Sequence, residues 1–254
     1  MKKLILILND LGGVGKTTCT QVLHEHLERK GVNHLLVATD PDAEEALPGA
    51  ESIDVGDGLS TSDVIEMLDR GGVVLLDVAT GCAGALAEFC AEEEIGTLLA
   101  ELETELTIVL PLNRELESFE PLVDVVETLA DDADYVVVHT PTKAELQGHF
   151  DNSELSRALE HLGAIEVEMP TLESGVLNKV EDEIGLPFAL ALGDRKQLPR
   201  YLRDSIHAWE LDFCKDLAEA NDFLLPGKAS STSSPYRKTK TARKRARGQI
   251  GLAS

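Results

Sequence analysis

Residues 4–18 read Leu4-Ile5-Leu6-Ile7-Leu8-Asn9-Asp10-Leu11-Gly12-Gly13-Val14-Gly15-Lys16-Thr17-Thr18. The apolar run at the start predicts a buried strand. Residues 16–30 predict a helix, because their apolar side chains follow helical spacing: Cys19, Val22, Leu23 and Leu27. A glycine-rich loop that follows a strand and runs into a helix with Gly-Lys-Thr is the pattern of a phosphate-binding loop. We therefore expect a nucleotide site here rather than a plain turn.

The residues of this loop divide into backbone donors and side-chain ligands. Four residues form the expected nest of N–H donors for the β-phosphate at the positive end of the helix: Gly12, Gly13, Val14 and Gly15. We expect Lys16 to reach the β- and γ-phosphates and Thr17 to bind Mg²⁺ through its hydroxyl. Thr18 is expected to donate to the α-phosphate.

Short apolar runs recur along the chain and alternate with helical patterns, which predicts βα units. The predicted strands are Leu4–Asn9, Leu35–Ala38, Val73–Asp77, Leu106–Leu110, Tyr135–His139 and Ile165–Glu168. Further helices are predicted at Pro121–Leu129, Asn152–Leu162 and within Arg200–Asn221. Because the strands are apolar almost throughout, we expect a mostly parallel β-sheet with helices on both faces, a three-layer αβα fold.

A carboxylate for the metal is expected at the end of a later strand. The run Val73-Val74-Leu75-Leu76-Asp77 has four apolar residues followed by an acid, which is the Walker B pattern. At the carboxyl end of a parallel strand, this carboxylate can hold a Mg²⁺-bound water beside Thr17. The sequence therefore predicts a magnesium site at Thr17 and Asp77.

The loop resembles that of the ParA/MinD family of deviant-Walker P-loop ATPases, which has the form Asn-x-Lys-Gly-Gly-x-Gly-Lys-Thr-Thr. Residues 9–18 match this form except at Leu11, where the family carries its signature lysine. In the family that lysine reaches across a dimer to the partner's phosphates. The resemblance implies ATP and Mg²⁺ as cofactors and an ATP-dependent homodimer. Hydrolysis to ADP and phosphate is expected to be slow or to need another cation.

Two further segments carry part of the resemblance. Ala38-Thr39-Asp40-Pro41 is similar to the family's second-strand Asp-x-Asp-Pro, with Ala38 in place of the first aspartate. By resemblance, Asp40 orients or deprotonates the attacking water and joins Lys16 as a catalytic residue, whereas a helix cap or turn acid is the alternative reading. Residues 78–81 resemble the family's switch stretch Asp-Thr-Pro-Pro-Gly, of which Gly81 is kept.

Base recognition has one candidate residue. His139 ends a predicted strand at the place where the family usually has an adenine-contacting asparagine. An imidazole can make one such hydrogen bond, and a strand-end histidine without a ligand fits the sequence equally well. The chain has no Asn-Lys-x-Asp guanine signature, so ATP is favoured over GTP.

The net charge of −23 is distributed unevenly over the 254 residues. Residues 1–227 hold all 46 acidic residues but only 15 of the 23 basic ones, so their net charge is −31. Residues 228–254 carry eight basic residues and no acid. We expect a P-loop domain over 1–227 and a disordered basic tail over 228–254. The tail is expected to contact DNA non-specifically, to associate with the acidic body, or to act as a solubilising or peptide-docking arm.

The resemblance implies a nucleotide switch in plasmid partition, stability or conjugative transfer, with a DNA-binding adaptor protein as a possible partner. Two alternatives stay open: an ATP-dependent ligase of the dethiobiotin-synthetase type, and a pseudo-ATPase that only binds nucleotide. No run of about 18 apolar residues is present. We therefore expect a cytoplasmic protein without a membrane partner.

Overall fold

The structure is a computed structural model, and it describes residues 2–40, 47–53, 59–113, 115–141 and 150–227. Pro41 and the predicted tail 228–254 lie outside the described residues. The strands are β1 (Lys2–Ile7), β2 (His34–Ala38), β3 (Glu51–Ser52), β4 (Val73–Asp77), β5 (Thr104–Leu112), β6 (Asp134–His139) and β7 (Ile165–Glu168).

The helices before β6 are α1 (Lys16–Arg29), α2 (Thr61–Gly71), α3 (Ala83–Glu92), α4 (Ile95–Glu101), α5 (Leu116–Phe119) and α6 (Leu122–Leu129). Those after β6 are α7 (Glu154–Leu162), α8 (Ser174–Asn178), α9 (Phe188–Gly193), α10 (Arg200–Leu217) and α11 (Asn221–Leu224). Single 3₁₀ turns span Ala130–Asp132, Arg195–Gln197 and Ala218–Ala220, and Lys179–Ile184 forms a π-helix.

The described strands form one seven-stranded sheet in the order β3-β2-β4-β1-β5-β6-β7, and every pair in it is parallel. β1 lies between β4 and β5, while α1 carries the chain past β4 to β2. Because the strands are parallel, their carboxyl ends meet at one edge of the sheet. The predicted parallel α/β fold is confirmed.

Alternation along β1 divides the core into two layers. Leu4 and Leu6 pack in one cluster with apolar residues of α2, α3, α4, α6 and α7. Ile5 and Ile7 pack in a second cluster with apolar residues of α1, α9, α10 and α11. Helices therefore cover both faces of the sheet, which makes the three layers that the sequence predicts.

Most element boundaries lie within two or three residues of the predicted ones. β4 and β7 coincide with the predicted runs, whereas β1 spans residues 2–7 instead of 4–9. The difference at β1 arises because Asn9 uses its side chain to anchor the loop instead of continuing the strand. The edge strand β3 and helices α2 to α4 are not among the predicted elements.

Candidate functional site

The predicted phosphate loop lies at the carboxyl edge of the sheet, together with the ends of β2 and β4. Asp77, the last residue of β4, is paired with Ile7 of β1 on one side and with Ala38 of β2 on the other. The loop, the Walker B carboxylate and the residues after β2 therefore gather at one place. Ligands of open parallel sheets bind in this crevice beyond the carboxyl ends of the strands.

Two glycines give the loop its turn. Gly13 and Gly15 have φ angles of 77° and 86°, a left-handed region that favours glycine. A Cβ atom at Gly13 would meet no heavy atom within 4 Å, whereas one at Gly15 would lie 3.5 Å from Thr140 Cγ2 and 3.7 Å from Met169 Cε. The loop is thus open at Gly13 and closely covered at Gly15, where α1 begins. Val14 is buried, and Thr18 is half-buried in the first turn of α1.

Asn9 fixes the start of the loop to the rest of the fold. Its Nδ2 donates to the carbonyl oxygens of Pro111 and Ser118, each at 2.7 Å. Its Oδ1 accepts from the backbone N–H of Leu11 at 2.8 Å. The side chain is fully buried, so its three hydrogen bonds substitute for water around it. Asn9 therefore holds the loop against the end of β5 and the helix that follows.

We expect Asn9→Ala to lower the free energy of unfolding by about 2–3 kcal/mol, because it removes two buried hydrogen bonds and a third that is part-buried. Urea denaturation measures this, with Asn178→Ala at an exposed helix end as the matched control. Equal stability of the two variants would contradict the anchoring role.

Lys16 is almost buried. Its side chain contacts the phosphate loop at Leu11 and the segment after β4 at Thr80. Its Nζ donates to Thr80 Oγ1 at 2.8 Å and to the Leu11 carbonyl at 3.3 Å. Burial lowers the pKa of Lys16, while the charges of Asp77 and Asp10 oppose that shift. An ammonium held this way among oxygen acceptors can exchange them for phosphate oxygens.

Asp77 has a buried carboxylate oxygen that no other described residue contacts by a hydrogen bond. Its side chain is 8% exposed, and its Oδ1 is buried with no hydrogen-bond partner among the described residues. Burial raises the pKa of Asp77 to about 6, and the hydroxyls of Thr20 and Thr17 lower it by hydrogen bonding. A buried carboxylate oxygen without a partner is costly. A magnesium ion with its water shell fits this atom chemically, since Mg²⁺ keeps several waters and prefers oxygen ligands.

The described residues hold no cluster of three or more His, Cys, Asp or Glu side chains that could bind a metal ion by themselves. Any Mg²⁺ at Thr17 and Asp77 would therefore take its remaining ligands from phosphate oxygens and water. This is the usual situation of Mg²⁺ in nucleotide sites.

Asp40 is exposed just beyond β2, where Ser52 Oγ donates to its backbone carbonyl at 3.3 Å. Its charge contributes to the raised pKa of Asp77, so the two carboxyl groups lie within electrostatic range of each other. The structure thus brings Asp40 to the edge that holds Lys16, Thr17 and Asp77. Its catalytic role stays a prediction.

His139 points to the other side of the sheet from α1. Its Nε2 lies 2.6 Å from Glu166 Oε2, and its ring packs edge-on against Phe150, which belongs to the other core layer. Its neighbour Thr140 is the residue that approaches Gly15. A contact between His139 and the base stays a prediction. The residues that lie beside the phosphate loop at Gly15 are Thr140 and Met169.

Thr140 and Met169 lie beside Gly15, and neither is among the predicted site residues. The strand alternation of β6 was an available signal, because Val136 and Val138 lie in the α1 layer and His139 must face away from it. Trp209 of α10 holds the neighbouring turn, since its indole N–H donates to the Pro170 carbonyl at 2.6 Å. No local pattern signals that contact, which joins residues 39 positions apart.

The parallel sheet and the strand-loop-helix site define a P-loop α/β protein. Within that class, the chain is similar to the ParA/MinD-type ATPases in its loop and in the position of its Walker B carboxylate. No protein-family model matches the chain. Protein MobD from Acidithiobacillus ferrooxidans is 25% identical over 221 residues, which cover 80% of this chain and 95% of that protein.

Two solved structures from Aquifex aeolicus are also similar. The MinD cell division protein is 20% identical with a TM-score of 0.42, and the MinC:MinD cell division protein complex is 20% identical with a TM-score of 0.43. Each alignment covers 81% of this chain and 95% of the other. Among the described residues, no helix is long and apolar enough to cross a membrane.

Proposed function

We propose that this chain is an ATP-binding switch protein of the ParA/MinD type. The observation that carries the proposal is the unpartnered, buried Oδ1 of Asp77, which lies at the same sheet edge as Lys16 and Thr17. The hydroxyls of Thr20 and Thr17 bond to the Asp77 carboxylate, but its Oδ1 has no partner among the described residues. A buried oxygen of a structural carboxylate would have one, whereas an oxygen that serves a metal ion gains its partner only when the ligand is bound.

The residues of the site take separate roles in this proposal. The amides of Gly12, Gly13 and Gly15 cradle phosphate, and Lys16 pairs with its charge. Thr17 and Asp77 hold Mg²⁺, which when bound offsets the negative charge of the phosphate oxygens. Asp40 orients water for slow hydrolysis.

Leu11 distinguishes this chain from the family pattern. An apolar side chain stands where the signature lysine is expected, so this position supplies no cation to a partner's phosphates. Its backbone is fixed on both sides, because its N–H donates to Asn9 and its carbonyl accepts from Lys16. An apolar side chain in place of the signature lysine supports slow hydrolysis. It also favours the second candidate, a pseudo-ATPase that only binds nucleotide.

We expect ATP with Mg²⁺ to convert the protein from monomer to dimer, and ADP to leave it monomeric. Light scattering after size exclusion measures the mass, and phosphate release on the same preparation measures turnover. ATP binding without phosphate release would identify the pseudo-ATPase. Turnover only after addition of a carboxylate or amine metabolite would identify the ligase. Absence of any nucleotide binding would overturn the proposal.

The biological role that we propose is plasmid partition, stability or conjugative transfer, with a DNA-binding adaptor as partner. In this role the basic tail 228–254 contacts DNA phosphates without sequence preference, which makes the affinity fall steeply with salt. Deleting the tail tests this point in a low-salt DNA retention assay. Unchanged retention would remove DNA from the proposal and leave the nucleotide site unaffected.

A further inference from the structure

The chain after β4, which we call the post-β4 loop (residues 78–82), is held to the site by three side chains. Thr39 Oγ1 accepts from the Ala79 N–H at 2.8 Å. Lys16 Nζ donates to Thr80 Oγ1 at 2.8 Å. Asp10 Oδ1 accepts from two further N–H groups, one in the loop and one at the start of α3. The loop thus depends on contacts with the residue that follows β2, with α1 and with the phosphate loop.

Asp10 makes the double contact. Its Oδ1 accepts from the Gly81 N–H at 3.1 Å and from the Ala83 N–H at 2.9 Å. Ala83 is the first residue of α3, where a negative charge is favourable because the N–H groups there have no helical acceptor. Hydrogen bonds to an ionised carboxylate are about twice as strong as neutral ones.

Asp10 belongs to the phosphate loop itself, one residue before Leu11. We propose that Asp10 is a positioning residue, whose carboxylate ties the post-β4 loop to the phosphate loop and so holds Thr80 against Lys16. Asp10 holds the residues that follow Thr80, and Thr39 holds Ala79 before it. The Thr80 hydroxyl that accepts from the Lys16 ammonium is therefore fixed in place. The inference rests on the proposed nucleotide site and assigns a further residue to it.

The charge of Asp10 has a second effect on the same site. It lies close enough to Lys16 to act on its ammonium, so it also repels a polyphosphate that approaches that ammonium. The carboxylate therefore positions the loop at a cost in nucleotide affinity. The two effects can be separated, because asparagine keeps an oxygen acceptor without the charge, whereas alanine removes both.

Amide hydrogen exchange by NMR directly tests the hydrogen bonds from Gly81 and Ala83 to Asp10. It is measured on the full chain without nucleotide. We expect Asp10→Ala to speed exchange at Gly81 and Ala83 by about tenfold or more, while Asp10→Asn stays within about threefold of the unmutated protein. Asp63→Ala is the matched control. Asp63 also accepts from a backbone N–H, that of Ser60 at 3.0 Å, so this variant should speed Ser60 and leave Gly81 and Ala83 unchanged.

Titration with ADP and ATP supplies the second readout. Asp10→Asn is expected to bind ATP about threefold more tightly than the unmutated protein at low salt, and the gain should shrink as salt rises. If Asp10→Ala does not fold, Asp10→Asn alone tests the proposal. Its amides at Gly81 and Ala83 should stay protected from exchange, and its affinity for ATP should rise.

Unchanged exchange at Gly81 and Ala83 in Asp10→Ala would overturn the positioning role, and so would tenfold faster exchange in Asp10→Asn. A protein that binds no nucleotide, yet shows the expected exchange pattern, would overturn the proposed function and leave the tie intact. The two failures are therefore distinguishable.

Discussion

Replacing Lys16 by alanine should weaken the binding of ATP and ADP by at least about 100-fold. The ammonium is almost buried and contacts only oxygen acceptors in the hydrogen bonds described for it, Thr80 Oγ1 and the Leu11 carbonyl. Truncating one member of a buried, hydrogen-bonded charge pair costs about 2–5 kcal/mol. Because the cation faces the loop that receives the phosphates, the loss falls on nucleotide affinity.

Calorimetry or the anisotropy of a fluorescent ADP measures this loss. Lys196→Ala is the matched control, since Lys196 is exposed in the 3₁₀ turn before α10. Circular dichroism should show both variants folded. Lys16→Ala that binds nucleotide as tightly as Lys196→Ala would contradict every version of the proposed function.

Asp77→Asn should lower the Mg²⁺-dependent part of ATP affinity by about 10–100-fold, the range for groups that orient the ligands of a metal. Binding of ATP in the presence of EDTA should change little, because the amide cradle and Lys16 remain. The comparison of the two conditions in one calorimetric series isolates the metal contribution. Equal Mg²⁺ dependence in the variant and the unmutated protein would count against Asp77 as a metal residue.

Asp77→Asn should also raise the free energy of unfolding by about 1–3 kcal/mol at pH 7.5. The pKa of Asp77 is raised to about 6 by burial, above that of the unfolded chain. The ionised carboxylate therefore opposes folding at neutral pH, and this opposition fades as the pH falls through 6 towards 4. Asparagine removes the charge and with it the opposition.

Urea denaturation at pH 7.5 measures the gain, with Asp69→Asn as the control, because Asp69 is an exposed aspartate of α2 that pairs only at the surface with Lys2. A residue that lowers the free energy of unfolding but contributes to metal binding is typical of a functional site. If Asp77→Asn destabilises the fold, the carboxylate is structural.

The central part of the fold follows from the sequence for clear physical reasons. Parallel strands covered on both faces are continuous apolar runs, and β4 begins and ends as that pattern predicts. The glycine-rich loop and α1 are equally local signals. β3 leaves no such signal, since it has two exposed residues at the sheet edge.

The site follows from the sequence only where its contacts are local or set by strand ends. Lys16, Thr17 and Asp77 meet because parallel strands bring their carboxyl ends together. The tie from Asp10 to Gly81 spans 71 positions, and no spacing rule predicts it. The resemblance predicts His139 as the base contact, whereas the strand alternation places it in the other layer and places Thr140 beside the loop.

A crystal structure with a non-hydrolysable ATP analogue and Mg²⁺ tests the central claim most directly. We expect the β-phosphate within hydrogen-bond distance of the loop amides and of Lys16 Nζ. The metal should lie about 2.1 Å from Thr17 Oγ1, with Asp77 reaching it through a bound water. A nucleotide bound elsewhere on the chain, or a metal held without Thr17, would contradict the account.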